Sequence, residues 1–109
     1  MADVMPYLEQ IRAKFDDPML QEKMKGFTKS LQFVFTDTGK TYLMNITDGK
    51  SATLKEEKLE KPDIQVTWSS DTFVGIQEKK VNATTAFMTG KVKIKGSMDD
   101  LMKLQKVMM

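Results

Sequence analysis

The spacing of hydrophobic positions changes along the chain, and each change marks an element. Val4, Leu8, Ile11 and Phe15 fall at i, i+4, i+7 and i+11, the rhythm of a helix with one apolar side, so a helix is expected over residues 3–15. Asp3 is its candidate cap and Pro6 lies in its first turn. Asp16-Asp17-Pro18 ends it, and Asp17 can cap a second short helix that begins at Pro18, contributes Met19, Leu20 and Met24, and stops at Gly26. From Ser30 the period becomes two. Leu31, Phe33 and Phe35 alternate with Gln32, Val34 and Thr36, and Asp37-Thr38-Gly39 supplies a turn into a second strand, Thr41 to Thr47, with Tyr42, Met44 and Ile46 on one face. Asp48-Gly49 is a tight-turn signal leading into a third strand, Ser51 to Lys55. The run Glu56 to Lys61 is then expected to be a solvated charged connection that ends at Pro62.

Ile64, Val66 and Trp68 alternate with Gln65 and Thr67 as a fourth strand, and Ser69-Ser70-Asp71 offers oxygens to cap a helix holding Phe73, Val74 and Ile76. Lys79-Lys80 suits that helix's C-terminal end. Asn82 caps a helix over Ala83 to Thr89, with Gly90 at the position where a left-handed residue stops a helix. In Lys91 to Lys95 the alternation sets Val92 and Ile94 on one face and three lysines on the other, a half-solvated strand. After Gly96, Ser97 with Asp100 three residues later forms a capping-box pattern that opens a helix running to Gln105. The succession ααβββ-βααβα predicts an α+β fold: a five-stranded, mainly antiparallel sheet with one apolar face covered by about five helices drawn from both ends of the chain.

Composition narrows what such a fold can do. At 109 residues the chain has the size of one domain, 1–109, and 40% hydrophobic with 29% charged residues leaves no tract that composition would call disordered. The chain contains neither histidine nor cysteine, which removes thiolate catalysis, Ser-His-Asp chemistry and the usual transition-metal ligand sets. Asp99-Asp100 and Glu56-Glu57 are sequence neighbours that diverge on a helix, and the isolated glycines form no phosphate-binding fingerprint. No catalytic residue, cofactor or metal site is therefore expected. A net charge of +2 is too balanced for nucleic acid to be the main partner. No apolar run approaches the ~20 residues of a membrane span and no signal-peptide pattern opens the chain, so a cytoplasmic location is expected.

Methionine is the outlier, with ten in the chain. Its flexible thioether suits a wall that adapts to ligands of varying shape, and equally suits irregular gaps in a core. Met88, Met98 and Met102 cluster in the last two helices. Gln105 shares a helical stripe with Met98 and Met102, and a buried amide there must bond to backbone, water or the polar end of a ligand. Trp68, Phe73 and Phe87 are large enough either to line a cavity or to fill the core. Lys79, Lys80, Lys91, Lys93 and Lys95 form a basic region that could meet an anionic membrane surface or simply protect an edge strand.

Phe87, Gly90-Lys91, Ile94-Lys95-Gly96 and Met102-Lys103-Leu104-Gln105, together with Pro62-Asp63 and the strand and helix after them, resemble the sterol carrier protein type 2 family of lipid-binding domains. The resemblance is concentrated in residues 62–105. It implies an apolar cavity enclosed by helices and sheet, and non-enzymatic binding and transfer of a fatty acid, acyl-CoA, sterol or similar amphiphile. The expected lipid-binding residues are Phe35, Met44, Trp68, Phe73, Ile76, Phe87, Met88, Met98, Leu101, Met102 and Gln105, with Gln105 at the polar end because the glutamine of this motif is associated with the lipid pocket. The expected state is a monomer or weak homodimer that touches anionic membranes transiently. The chain ends at Val107-Met108-Met109 without the tail and peroxisomal tripeptide of some eukaryotic members, so a peroxisomal location is not implied. The alternative is an interaction or accessory domain of the same fold whose cavity is closed.

Overall fold

The computed structural model describes residues 3–108, with side chains described for residues 3–103. The elements are α1 (Met5–Lys14), α2 (Pro18–Lys23), β1 (Lys29–Phe35), β2 (Thr41–Thr47), β3 (Ser51–Glu56), β4 (Ile64–Trp68), α3 (Ser70–Gln77), α4 (Ala83–Met88), β5 (Lys93–Lys95) and α5 (Met98–Met108). The order of elements is the one that periodicity predicts. Boundaries differ by one to three residues: α5 runs on to Met108, and α1 starts at Met5 behind Val4, with Asp3 accepting a hydrogen bond from the Met5 amide at 3.2 Å rather than forming the cap position itself.

The strands form one sheet in the order β3-β2-β1-β4-β5, with β1 and β4 parallel and every other pair antiparallel. The meander β1-β2-β3 closes through the turns that the sequence marks. Asp48 and Gly49 both have positive φ, 53° and 64°, and Lys50 N donates to Thr47 O at 3.0 Å, the type I′ geometry that Asp-Gly favours. The parallel pair is clamped at its start by Asp63, whose carboxylate accepts from the Ser30 amide (2.8 Å) and hydroxyl (3.1 Å), while its own N–H donates to Ser30 Oγ at 2.8 Å.

Leu8, Ile11 and Phe15 of the first helix and its end, together with Leu31, Phe33, Phe35, Met44, Ile46, Ile64 and Phe73, are almost fully buried in one core under the helices. The period-two residues of β1, β2 and β4 point into it. Tyr7 ties α1 to α3: its ring packs edge-on to Phe73 with centroids 6.4 Å apart, and its hydroxyl donates to Glu78 Oε2 at 3.0 Å.

The sheet does not have a single apolar face with a solvated back. Gln32 and Leu43, register partners on β1 and β2, are also buried, at 0% and 1% exposure. Gln32 Oε1 accepts from Leu59 N at 2.7 Å, and its Nε2 donates to Gln65 Oε1 at 2.9 Å. The charged connection after β3, expected to be solvated, is thus held by Leu59 across the back of the sheet. Its charged side chains are exposed while its backbone is anchored.

Candidate functional site

A cavity of about 350 Å³ lies between the β1-β4-β5 half of the sheet and helices α3, α4 and α5. Leu31, Val66 and Trp68 come from the sheet, with Val92 and Ile94 from the β5 region. Ile76 and Gln77 end α3, Ala83, Thr84 and Phe87 line one flank from α4, and Met98, Leu101 and Met102 of α5 form the lip. None of these side chains is ionisable. The volume is a little over twice the ~150 Å³ of an engineered apolar cavity that accepts benzene, and lies within the roughly 300–1,000 Å³ of small-molecule pockets.

Each contribution has a local cause. Trp68 is 4% exposed because it closes β4 against Phe73, ring centroids 4.9 Å apart, and stacks with Phe33 at 6.2 Å and Phe35 at 6.5 Å. Ser69 caps α3 by accepting from Thr72 N at 3.1 Å, which starts the helix so that Ile76 and Gln77 reach the cavity at its far end. Asn82 caps α4, accepting from Thr85 N at 3.0 Å, and Gly90 at φ 81° ends it. Lys91 N then donates to Ala86 O at 2.8 Å, turning the chain so that Val92 is buried at the cavity.

α5 opens on Ser97, whose hydroxyl accepts from Asp100 N at 3.2 Å. The reciprocal half of the expected capping box is replaced by a tie to the sheet, Asp100 Oδ2 lying 3.5 Å from Lys29 Nζ. Lys103 Nζ sits 5.9 Å from the centre of the Phe27 ring. Each of these two contacts contributes at most about 1 kcal/mol, and Leu101 of the same helix packs against the core.

Of the residues expected to bind lipid, Trp68, Ile76, Phe87, Met98, Leu101 and Met102 border this cavity. Phe35, Met44 and Phe73 do not: all three are fully buried in the solid part of the core. Phe35 lies opposite Trp68 in register and its ring packs on Phe73 at 5.5 Å, while Met44 belongs to β2, beyond β1 from the cavity. Met88 is 79% exposed and borders no part of it. The Gln105 side chain lies outside the described residues. Leu31, Val66, Val92 and Ile94 join the lining without having been singled out, although their strand alternation placed them on the right face. Gln77 was also missed, and the signal was the one applied to Gln105, an amide beside apolar helix residues.

Beside the cavity, and sharing Trp68 with it, runs a second hollow of about 320 Å³ lined by Thr36, Thr67, Ser69, Thr72, Gly90, Lys91 and Lys93. Lys91, Lys93 and Lys95 are exposed, the last two on edge strand β5. Lys80 Nζ is 3.6 Å from Glu78 Oε1, which reduces its availability to other anions. Phe87, Ile94, Met98 and Met102 are exposed large apolar residues at the cavity mouth. Among the described residues no group of acidic, histidine or cysteine side chains could hold a metal ion, and no helix is long and apolar enough to cross a membrane.

The sheet and helices thus border an apolar pocket whose lining carries no ionisable side chain, and similarity to known proteins places the fold more narrowly. Residues 8–109 match the SCP-2 sterol transfer family, and the chain belongs to that family. It is 29% identical over 107 residues to hydroxysteroid dehydrogenase-like protein 2 of Xenopus laevis, a match covering 97% of this chain and 25% of that protein. It is 30% identical over 94 residues to human sterol carrier protein 2, covering 79% of this chain and 17% of that one. The chain therefore spans a quarter or less of the length of these relatives. Among solved structures, the solution structure of sterol carrier protein domain 2 of Helicoverpa armigera superposes with a TM-score of 0.72 at 28% identity, covering 96% of this chain and 84% of that one.

Proposed function

We propose that the chain is a single lipid-binding domain that takes up an amphiphile into the cavity beneath α5 and transfers it without catalysing a reaction. The observation that carries this reading is the cavity itself: about 350 Å³, walled by aliphatic, aromatic and methionine side chains, with no ionisable group in its lining. Burying alkyl surface there gains ~0.8 kcal/mol per methylene, which offsets the cost of immobilising a ligand once several methylenes are enclosed. Trp68, Ile76, Phe87, Leu101, Met98 and Met102 form the proposed wall, the two methionines supplying its adaptable part. Membership of the family and the likeness to human sterol carrier protein 2 support the same reading.

The test is native mass spectrometry of freshly purified protein, followed by titration of Trp68 fluorescence with palmitate, methyl palmitate and cholesterol. Co-purifying lipid, or a saturable change with any of the three, is the expected result. A bare mass and a flat titration with all three would overturn the proposal in favour of an interaction or accessory domain of the same fold.

A further inference from the structure

The second hollow, of about 320 Å³, lies where the parallel strands β1 and β4 end together, Phe35 opposite Trp68 in register. The chain leaves the two strands in different directions there, toward β2 and toward α3, and the crevice outside the carboxyl ends of parallel strands is a common place for a ligand. Val66 and Ile94 face the apolar cavity, so their neighbours Thr67 and Lys93, themselves register partners, face away from it. Trp68, buried and common to both linings, stands between the two spaces. Their walls are chemically unlike. The hollow is lined by Lys91, Lys93 and the hydroxyls of Thr36, Thr67, Ser69 and Thr72, with no carboxylate among the described residues. Both lysines are exposed, and neither has an ion-pair partner among those residues. The hydroxyl protons of Thr36, Thr67 and Thr72 are uncommitted as well. Thr67 Oγ1 accepts from Gln65 Nε2 at 3.4 Å and Thr72 Oγ1 from Ser69 Oγ at 2.9 Å, while Thr36 Oγ1 has no partner among the described residues. The first amides of α3 are already taken: Ser70 N donates to Asp37 Oδ1 at 2.9 Å and Thr72 N to Ser69 Oγ at 3.1 Å. Any binding here falls to the lysines and hydroxyls.

We propose that this hollow is a second ligand site, separate from the lipid cavity, that takes the phosphate of a small water-soluble phosphomonoester. The inference goes beyond lipid binding and does not rest on it. Lys91 and Lys93 flank the buried Val92, which holds their backbone and turns both side chains to the same side. Two ammonium groups match the charge of a phosphomonoester at neutral pH, and the free hydroxyls donate to its remaining oxygens. The acidic residues nearest in sequence, Asp37 and Asp71, stand outside the lining, and Asp37 is turned onto Ser70. A lipid's phosphate fits less well, because its chains would lie along hydroxyls or in water, with Trp68 closing the way to the apolar cavity. An occupied site covers two of the lysines exposed near the cavity mouth, which sets soluble phosphate in competition with an anionic membrane for them.

Titration of the ¹⁵N-labelled chain with inorganic phosphate and with glycerol 3-phosphate, each compared with sodium chloride at equal ionic strength, reads the site directly. The amide resonances of Thr36, Gly90, Lys91 and Lys93 should shift saturably with both phosphates and little with chloride. Lys91→Gln and Lys93→Gln should each weaken phosphate binding about tenfold, the loss of one charge-assisted hydrogen bond, and Thr36→Val about threefold. Lys23→Gln removes the same charge from the exposed side of α2 and should leave binding within about twofold. Thr36, Lys91 and Lys93 are all exposed, so these variants should fold as the parent does. Shifts that rise without saturating and match those given by chloride would reduce the lysines to a screened surface and overturn the proposal, as would equal weakening in Lys23→Gln. A response to phosphatidic acid vesicles with none to glycerol 3-phosphate would overturn it in favour of a membrane contact. The palmitate titration of Trp68, repeated on the two lysine variants, should match the parent's, so the lipid-binding reading stands or falls separately.

Discussion

Gly49 shows how much of the fold can depend on one missing carbon. At φ 64° it occupies the left-handed region, and a Cβ built there would lie 2.2 Å from Met24 O and 2.6 Å from Met24 C. Both contacts are backbone, so neither can turn aside. Gly49→Ala should therefore cost at least about 2 kcal/mol, combining left-handed strain with overlap, and chemical denaturation would measure it. Gly90, at a similar φ but with open space around it, should tolerate alanine better. Asp37 tests electrostatics at the same scale. The Ser70 hydroxyl and then the Ser70 amide hydrogen-bond its carboxylate and hold its pKa below the usual carboxylate range. A depressed folded pKa means that the carboxylate stabilises the fold at pH above its unfolded value, about 3.9, and that this stabilisation is lost as pH falls through the folded one. Asp37→Asn should melt below the parent at neutral pH, and the gap should close as pH drops from about 4. A gap that stays constant down to pH 2 would remove the Ser70 contact from the account.

Among the elements, the segment between β3 and β4 and the helix α5 depart most from what their sequences suggest. Gln32→Ala would leave the Leu59 backbone N–H and the Gln65 side-chain Oε1 without their partner, a loss of about 1–3 kcal/mol, with faster hydrogen exchange at Leu59 N–H as its local signature. Met102 is 63% exposed, so Met102→Lys should leave stability nearly unchanged. Its long side chain can direct the charge outward, which limits the effect on lipid affinity to about tenfold, from lost methionine contact. Unchanged lipid binding in that variant would detach α5 from the cavity.

The elements were legible because alternation and capping are local: Leu31-Phe33-Phe35, Ile64-Val66-Trp68, Asn82 and Ser97 each carry their own signal. What Phe35, Met44 and Phe73 do was not legible, because whether an inward-facing residue meets a cavity or a neighbour depends on which helix covers its strand. The strap was hidden for a related reason. Its charged residues do face water, and only the burial of Gln32 on the far face of β1 shows where Leu59 must lie.

Across the whole molecule, strand order connects these features. β3 is an outer strand and β4 lies beyond β2 and β1, so the link between them must cross the sheet, and it does so on the face away from the helices. The helical face is thereby left to two sets of helices. α1 packs against the β3 side, where Leu8, Ile11 and Phe15 fill the space, while α3 to α5 cover the β1-β4-β5 side and leave the cavity. The opening beside β5 has an apolar rim of Phe87, Ile94, Met98 and Met102, with Lys91, Lys93 and Lys95 exposed nearby.

Such a rim would meet a bilayer mouth first, the lysines drawing it toward anionic headgroups at about 1 kcal/mol each. If release occurs at the surface, changing Lys91, Lys93 and Lys95 together to Glu should slow lipid transfer to phosphatidylserine vesicles by tenfold or more while leaving affinity in solution within about twofold, because none of the three lines the apolar cavity. The parent's rate should fall as salt rises from 50 to 500 mM, as the Debye length shrinks from about 14 to about 4 Å, and the variant's should not. Transfer by collision requires both results. A parent rate independent of salt and a variant that keeps pace with it would mean that the lipid leaves through water, with the basic strand serving only to keep an edge soluble.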